Sequence, residues 1–187
     1  MSETIATFFD LVIKSLYLFL PVAIANMMPV FVKKINFLNY PIDFKKSYKG
    51  IRIFGDNKTF RGFFFGIIGA MIITVLQANL TKYFVLNAIT LVDYTKVNPY
   101  FYGFMIGFGV LFGDAVKSFF KRRRNIAPGQ PWIPFDQIDL IIGALAFTWF
   151  LYLPPISVII FGIIVGPLLH IGFNLLGYYL KIKQNKL

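Results

Sequence analysis

A chain of 187 residues that is 57% hydrophobic, 19% aromatic and 14% charged has lipid as its main solvent. About five spans of roughly 20 residues use up that length, which excludes a separate soluble domain, and the lack of cysteine excludes disulfides, thiolate metal sites and thiol nucleophiles. The net charge of +11 bears on nucleic acid only if membrane topology fails to explain it.

Hydropathy predicts spans at about 11 to 32, 62 to 80, 99 to 120, 138 to 153 and 156 to 180. The fold class is therefore all-α, a polytopic membrane helix bundle forming one domain over residues 1–187. In the first span Ala23, Ile24 and Ala25 imitate a signal-peptide cleavage site, but Glu3 and Asp10 precede the apolar run and Lys33 and Lys34 follow it, so the segment is expected to be retained. The connection to the second span holds Lys33, Lys34, Lys45, Lys46, Lys49, Arg52, Lys58 and Arg61. Lys121 to Arg124 follow the third span, and Lys181, Lys183 and Lys186 the fifth, against only Lys82 and Lys96 on the other side. The positive-inside rule then sets both basic loops and the C-terminus in the cytoplasm, with the N-terminus outside. Topology accounts for the basic balance, and no nucleic-acid partner is needed.

The fourth span is short: it is expected to begin inside its preceding loop or to stop at Pro154 and Pro155 within the bilayer. Pro128, Gly129, Pro131 and Pro134 give that preceding loop a stiff, non-helical course. Glycine pairs such as Gly103 and Gly107, or Gly109 and Gly113, are four apart and serve close helix packing. His170 and Asn174, one turn apart in the fifth span, read as an interhelical hydrogen bond and carry no catalytic role.

The chemistry-bearing signal is three aspartates where a membrane chain should have none. Asp114 interrupts the third span, and Asp136 and Asp139 stand at the mouth of the fourth. An acid within a span costs roughly 2.5–3.5 kcal/mol on the gentler insertion scales and usually marks function. Asp114, Lys117, Ser118 and Lys121 fall at i, i+3, i+4 and i+7, so they form one polar stripe running to the basic end of the helix. A plainer account is an Asp114–Lys117 ion pair that makes insertion tolerable. Asp136 and Asp139 share a face of the first turn of the next helix, where acids also suit the helix dipole, and the Lys121 to Arg124 run also suits a stop-transfer anchor. Convergence of the three carboxylates would make an oxygen-rich site suited to Mg²⁺ or Mn²⁺.

These residues carry a resemblance. Gly113-Asp114-Ala115-Val116-Lys117-Ser118-Phe119-Phe120-Lys121-Arg122-Arg123, then Pro128-Gly129, then Pro134-Phe135-Asp136-Gln137-Ile138-Asp139, is similar to the signature of CDP-archaeol synthases, the archaeal relatives of phosphatidate cytidylyltransferases. Ala25-Asn26-Met27-Met28-Pro29-Val30, Pro41-Ile42-Asp43 and Gly55-Asp56-Asn57-Lys58-Thr59-Phe60-Arg61-Gly62 resemble the same family. The resemblance implies a single integral membrane catalytic domain that condenses CTP with an unsaturated isoprenoid diether lipid phosphate (2,3-di-O-geranylgeranyl-sn-glycerol 1-phosphate), releasing pyrophosphate. In that setting Asp114, Asp136 and Asp139 would hold Mg²⁺, for which Mn²⁺ can substitute, while Lys117, Lys121 and Arg122 balance phosphate charge and Ser118 orients it. Lys58, Thr59 and Arg61 would form a second wall for CTP or the lipid headgroup, and Asn26 would bond headgroup atoms or stitch helices. The implied location is the cell membrane, with the site facing the cytoplasm. The rival reading is a cation-coupled transporter, for which the expected pair of broken helices at the midplane is missing from the sequence. A non-catalytic membrane subunit would leave the aspartates unexplained.

Overall fold

The computed structural model describes residues 2–127, 130, 132 and 135–166, with the side chains of Ser2, Glu3 and Gln137 excepted. Pro128, Gly129, Pro131 and Pro134, residues 167–180 of the fifth expected span with His170 and Asn174, and the basic tail all lie outside the described residues.

Helix α1 spans Ser2–Phe31. It starts before the predicted boundary, because the polar N-terminal stretch remains helical and Asp10 pairs one turn on with Lys14 at 2.8 Å. A 3₁₀ turn, Val32–Lys34, leads into an ordered connection that carries a two-stranded antiparallel hairpin, β1 (Ser47–Tyr48) and β2 (Ile51–Arg52). Lys49 and Gly50 make its two-residue turn, both with positive φ, the geometry that matches strand twist. Helix α2, Phe60–Leu80, starts at Thr59, whose Oγ1 accepts from the Gly62 N–H at 3.1 Å as an N-cap. A short helix, α3 (Phe84–Ile89), lies in the next connection, where hydropathy gave no element. Asn98 then caps α4, Pro99–Arg123, through bonds from the Tyr100 and Phe101 N–H groups.

Helix α5 spans Phe135–Thr148, so the predicted end at 153 is corrected by five residues. Thr148 Oγ1 turns back to the Ala144 carbonyl at 2.9 Å, the chain turns through Trp149 to Leu151, and Pro154 and Pro155 cannot extend the backbone ladder. A final helix, α6, runs over Ile156–Gly166, the last of the described residues.

Helix α4 is the centre of the bundle, packed on α2 at one side and α5 at the other, with α1 against α2. Its glycines set the spacing. A Cβ built at Gly103 would lie 2.6 Å from Met71 Cα of α2, and one at Gly113 would lie 2.6 Å from the Asp139 carbonyl oxygen of α5. Gly109 and Gly143 meet backbone to backbone in the same seam. Leu18, Val22, Ala25, Ala70, Ile106, Val110, Leu140 and Ala144 fill the core, while Phe8, Phe9, Ile13, Ile72, Leu76, Phe104 and Ile142 face outward. Such a surface suits hydrocarbon, and Thr4–Lys34, Phe60–Leu80 and Pro99–Arg123 are three helices long and apolar enough to cross a membrane.

Candidate active site

The seam between α4 and α5 is what brings the acids together. Because Gly113 has no side chain, the α5 backbone at Asp139 comes into contact with α4 one residue before Asp114. Asp136 sits one turn earlier on α5, held by the Trp132 N–H, and so all three carboxylates gather beside the last turns of α4.

Lys117 is their meeting point. Its Nζ lies 3.0 Å from Asp114 Oδ1, 3.0 Å from Asp136 Oδ1 and 2.9 Å from Asp139 Oδ2. The intrahelical pair with Asp114 that sequence alone allows is therefore present, but it is one arm of three. Lys58 reaches across from the α1–α2 connection to Asp114 Oδ2. Lys121 bonds both oxygens of Asp136, at 3.1 and 3.2 Å, and the Gln130 carbonyl. Three carboxylates against three ammonium groups leave the cluster neutral, as burial demands: the six side chains are between 8% and 20% exposed.

The balance is incomplete at one point. Both oxygens of Asp139 are shut off from solvent; Oδ2 has the Lys117 ammonium at 2.9 Å, and Oδ1 has no hydrogen bond among the described residues. On the cationic side, Arg61 is buried, its guanidinium bonding the Ile35 carbonyl at 2.5 Å, and among the described residues neither its Nε nor the buried Nε of Arg122 has a hydrogen-bond partner. Such atoms are spare capacity for an anion.

Three clustered carboxylates suit a small hard cation by donor chemistry, and Asp139 Oδ1, without a hydrogen bond among the described residues, is an oxygen such an ion would complete. In this conformation the acids frame an ammonium instead. Among the described residues no group of three acidic or imidazole side chains outlines a metal position, the space between the acids being taken by the Lys117 ammonium.

The remaining predicted residues divide. Ser118 is buried on α4, one position beyond Lys117. Thr59 uses its oxygen to cap α2, placing Lys58 immediately before the helix and Arg61 in its first turn. Asn26 lies on α1, half-buried, outside this ion-pair network.

Two residues that the sequence reading placed in family-like segments but not in the site are Asp43 and Arg123. Asp43 is buried in the α1–α2 connection and accepts from the N–H groups of Lys45, Phe54 and Gly55 and from the Arg52 guanidinium. Burial alone would raise its pKa, but Arg52 and those N–H groups outweigh it and hold the carboxyl down at about 2. The signal available was an acid amid a strongly basic loop.

A sequence profile of the CarS-like CDP-archaeol synthase family matches residues 8–186. The chain belongs to the CDP-archaeol synthase family. The CDP-archaeol synthase of Pyrococcus furiosus is 35% identical over 174 residues, which cover 92% of this chain and 96% of that one. That of Methanococcoides burtonii is 38% identical over 154 residues, 77% of this chain and 88% of its own. A solved structure described as an intramembrane enzyme for archaeal membrane lipid biosynthesis superposes with a TM-score of 0.68 at 30% identity, covering 86% of this chain and 92% of the other. As a CDP-archaeol synthase family member the protein is an enzyme of the cytidylyltransferase class, acting in membrane lipid synthesis. The transporter alternative finds no support in these relatives.

Proposed function

We propose that this member of the family joins CTP to an unsaturated isoprenoid diether lipid phosphate, giving the CDP-lipid and pyrophosphate, at the Asp114, Asp136 and Asp139 cluster. The observation that carries the reading is the convergence of these acids on one buried lysine, at the end of the bundle that also holds the basic loops. Five spans, an outside N-terminus and a cytoplasmic site belong to the same proposal. They rest on the lysine and arginine asymmetry and on two further apolar helices, Ile138–Thr148 and Ile156–Gly166.

The lipid phosphate is already an anionic nucleophile, so no general base is required. Its oxygen attacks the α-phosphorus of CTP, a new P–O bond forms, and the bond to the β-phosphate breaks with pyrophosphate as leaving group. The work of the protein is to hold two anions in line and to neutralise them. Mg²⁺, held by Asp114, Asp136 and Asp139, would supply positive charge to the phosphate oxygens. Lys58, Lys117 and Lys121 are ammonium groups on flexible stems, already poised at the acids and able to turn to phosphate as point charges. Arg61 and Arg122 each have a buried Nε donor without a partner among the described residues. A neutral cluster cannot take up a triphosphate without rearrangement, so the ion pairs seen here are those that open as substrate arrives.

The test is incubation of purified protein with labelled CTP, Mg²⁺ and either the diether phosphate or a diacyl phosphatidate, with CDP-lipid and pyrophosphate measured. The expected outcome is lipid-dependent product in wild type and a loss of roughly 100-fold or more in Asp114→Asn and Asp139→Asn, the scale on which removed electrostatic contacts act. Full activity in both variants refutes the site. Uptake of a solute into sealed vesicles without any nucleotide would restore the transporter.

A further inference from the structure

The α1–α2 connection is held in place by two fasteners that touch none of the three acids. The first is Asp43, whose side chain has no exposed surface although it lies in a loop. Its carboxylate gathers the Lys45, Phe54 and Gly55 N–H groups, each at 3.0 Å, and Arg52 Nη2 at 2.9 Å. A buried carboxylate is tolerated only when so surrounded, and the bonds tie residue 45 to residues 52–55 across the β1–β2 hairpin. Gly55, the second of the two successive N–H donors to Asp43 Oδ2, adopts φ +97°, a left-handed conformation open to glycine that redirects the chain just beyond the knot.

The consequence falls on Lys58. Its N–H bonds the Gly55 carbonyl at 3.3 Å, and its own carbonyl accepts from the Ile42 N–H at 2.9 Å, the residue before Asp43. The Lys58 backbone is thus gripped from both sides of the Asp43 knot, and its side chain then crosses to Asp114. The second fastener is Arg123, in the last turn of α4. Its Nη1 donates to the Arg52 and Ile53 carbonyls at 3.1 and 3.2 Å, and its guanidinium lies 3.5 Å from the centre of the Phe119 ring with Tyr48 beyond. Arg123 therefore bolts the hairpin to the helix that carries Asp114 and Lys117.

We propose that Asp43 and Arg123 are positioning residues, which act through Lys58 by fixing the α1–α2 connection against α4 so that the Lys58 ammonium is delivered to the acid cluster. This rests on the cluster being the nucleotide site. Neither residue needs to contact a substrate, because a displacement of about 1 Å at a group that does can cost on the order of 100-fold in rate.

Two measurements test it, one of which does not depend on the reaction. Acylation of lysine amines, read by mass spectrometry, should label Lys58 several-fold faster in Asp43→Asn and in Arg123→Gln than in wild type, with Lys82 unchanged as a remote control. An unaltered Lys58 rate in both variants overturns the proposal, whatever the enzyme proves to make. A double-mutant cycle then uses CDP-lipid formation. Each single variant is expected to lower kcat/KM roughly tenfold with the bundle's melting temperature retained, and to cost less than about twofold when added to Lys58→Gln, since residues acting through one group are not additive. Full multiplicative losses on the Lys58→Gln background would show a role independent of Lys58 and overturn it. Should Asp43→Asn fail to fold, Arg123→Gln decides both measurements, because it removes the bolt and leaves the knot.

Discussion

The two ends of the helix bundle handle buried polarity in opposite ways. At the end where α1 and α4 finish, six charged side chains form a charge-balanced set around Lys117, and Asp139 Oδ1 has no hydrogen bond among the described residues. At the other end the buried polar groups among the described residues are uncharged, and one of them, the Ser15 hydroxyl, has no hydrogen bond there. Gln77 donates there to the Tyr17 carbonyl at 2.5 Å and accepts from the Tyr94 hydroxyl at 3.2 Å. Thr74 returns its hydroxyl to the Ala70 carbonyl at 2.8 Å. Neutral hydrogen bonds offer a charged ligand little to displace them, whereas ion pairs hold strong groups that such a ligand can recruit. Stability alone would have been served by neutral bonds at both ends.

The sharpest way to break this contrast is to remove the hub. Lys117→Met leaves three carboxylates short of a counter-charge in a poorly hydrated site and is expected to cost about 3–5 kcal/mol of stability, the range for removing one partner of a buried pair, together with nearly all CDP-lipid formation. Adding Asp139→Asn should return part of the stability, because one uncompensated charge is gone, and none of the activity. Gln77→Leu at the opposite end should cost only about 1 kcal/mol, the scale of a neutral hydrogen bond, with turnover unchanged. Unfolding in mixed micelles and the CTP assay together read all three variants. Equal effects at the two ends would mean that the ion pairs are structural filler.

A second comparison keeps the steric insult constant. A Cβ at Gly103 and one at Gly113 would each lie 2.6 Å from a backbone atom of a neighbouring helix, Met71 Cα in the first case and the Asp139 carbonyl in the second. Gly103→Ala and Gly113→Ala should therefore destabilise alike, by about 1–3 kcal/mol for overpacking. Only the second pushes α5 away from Asp114, and it alone should lower kcat/KM, by roughly tenfold or more. Parallel activity losses in both would detach the seam from the chemistry.

What could be read from the sequence follows the range of the interactions. The first three spans and the stripe of Asp114, Lys117, Ser118 and Lys121 follow from hydropathy and from helical periodicity, which are local. That Lys117 would be shared by three acids depends on the register of α5 against α4, set by backbone contact at Gly113 and Gly143 that no pattern within either helix encodes. The run Lys121 to Arg124 is uniform by composition, yet successive side chains on a helix point about 100° apart. Lys121 consequently turns to Asp136 and Arg123 to the hairpin. Asp43 was invisible as a knot because its partners are up to 12 residues away through an irregular chain.

The smallest expected effect concerns that knot and supplies a pH sign. The Asp43 carboxyl is held at about 2, below its ordinary 3.8, so its ionised form is the one the folded loop favours. A depressed folded-state pKa stabilises the loop fully above about 4, and that contribution is lost as pH falls from about 4 through about 2. The Phe54 and Gly55 amide resonances, whose N–H groups bond Asp43 Oδ2, should titrate with a midpoint near 2. In Asp43→Asn the same resonances should not move across this range, and those of the Gln77 side-chain amide should be flat in both proteins. A midpoint near 3.8 would mean that the N–H groups and Arg52 do not favour the ionised carboxylate, and the knot would then do little to fix the Lys58 backbone within the connection.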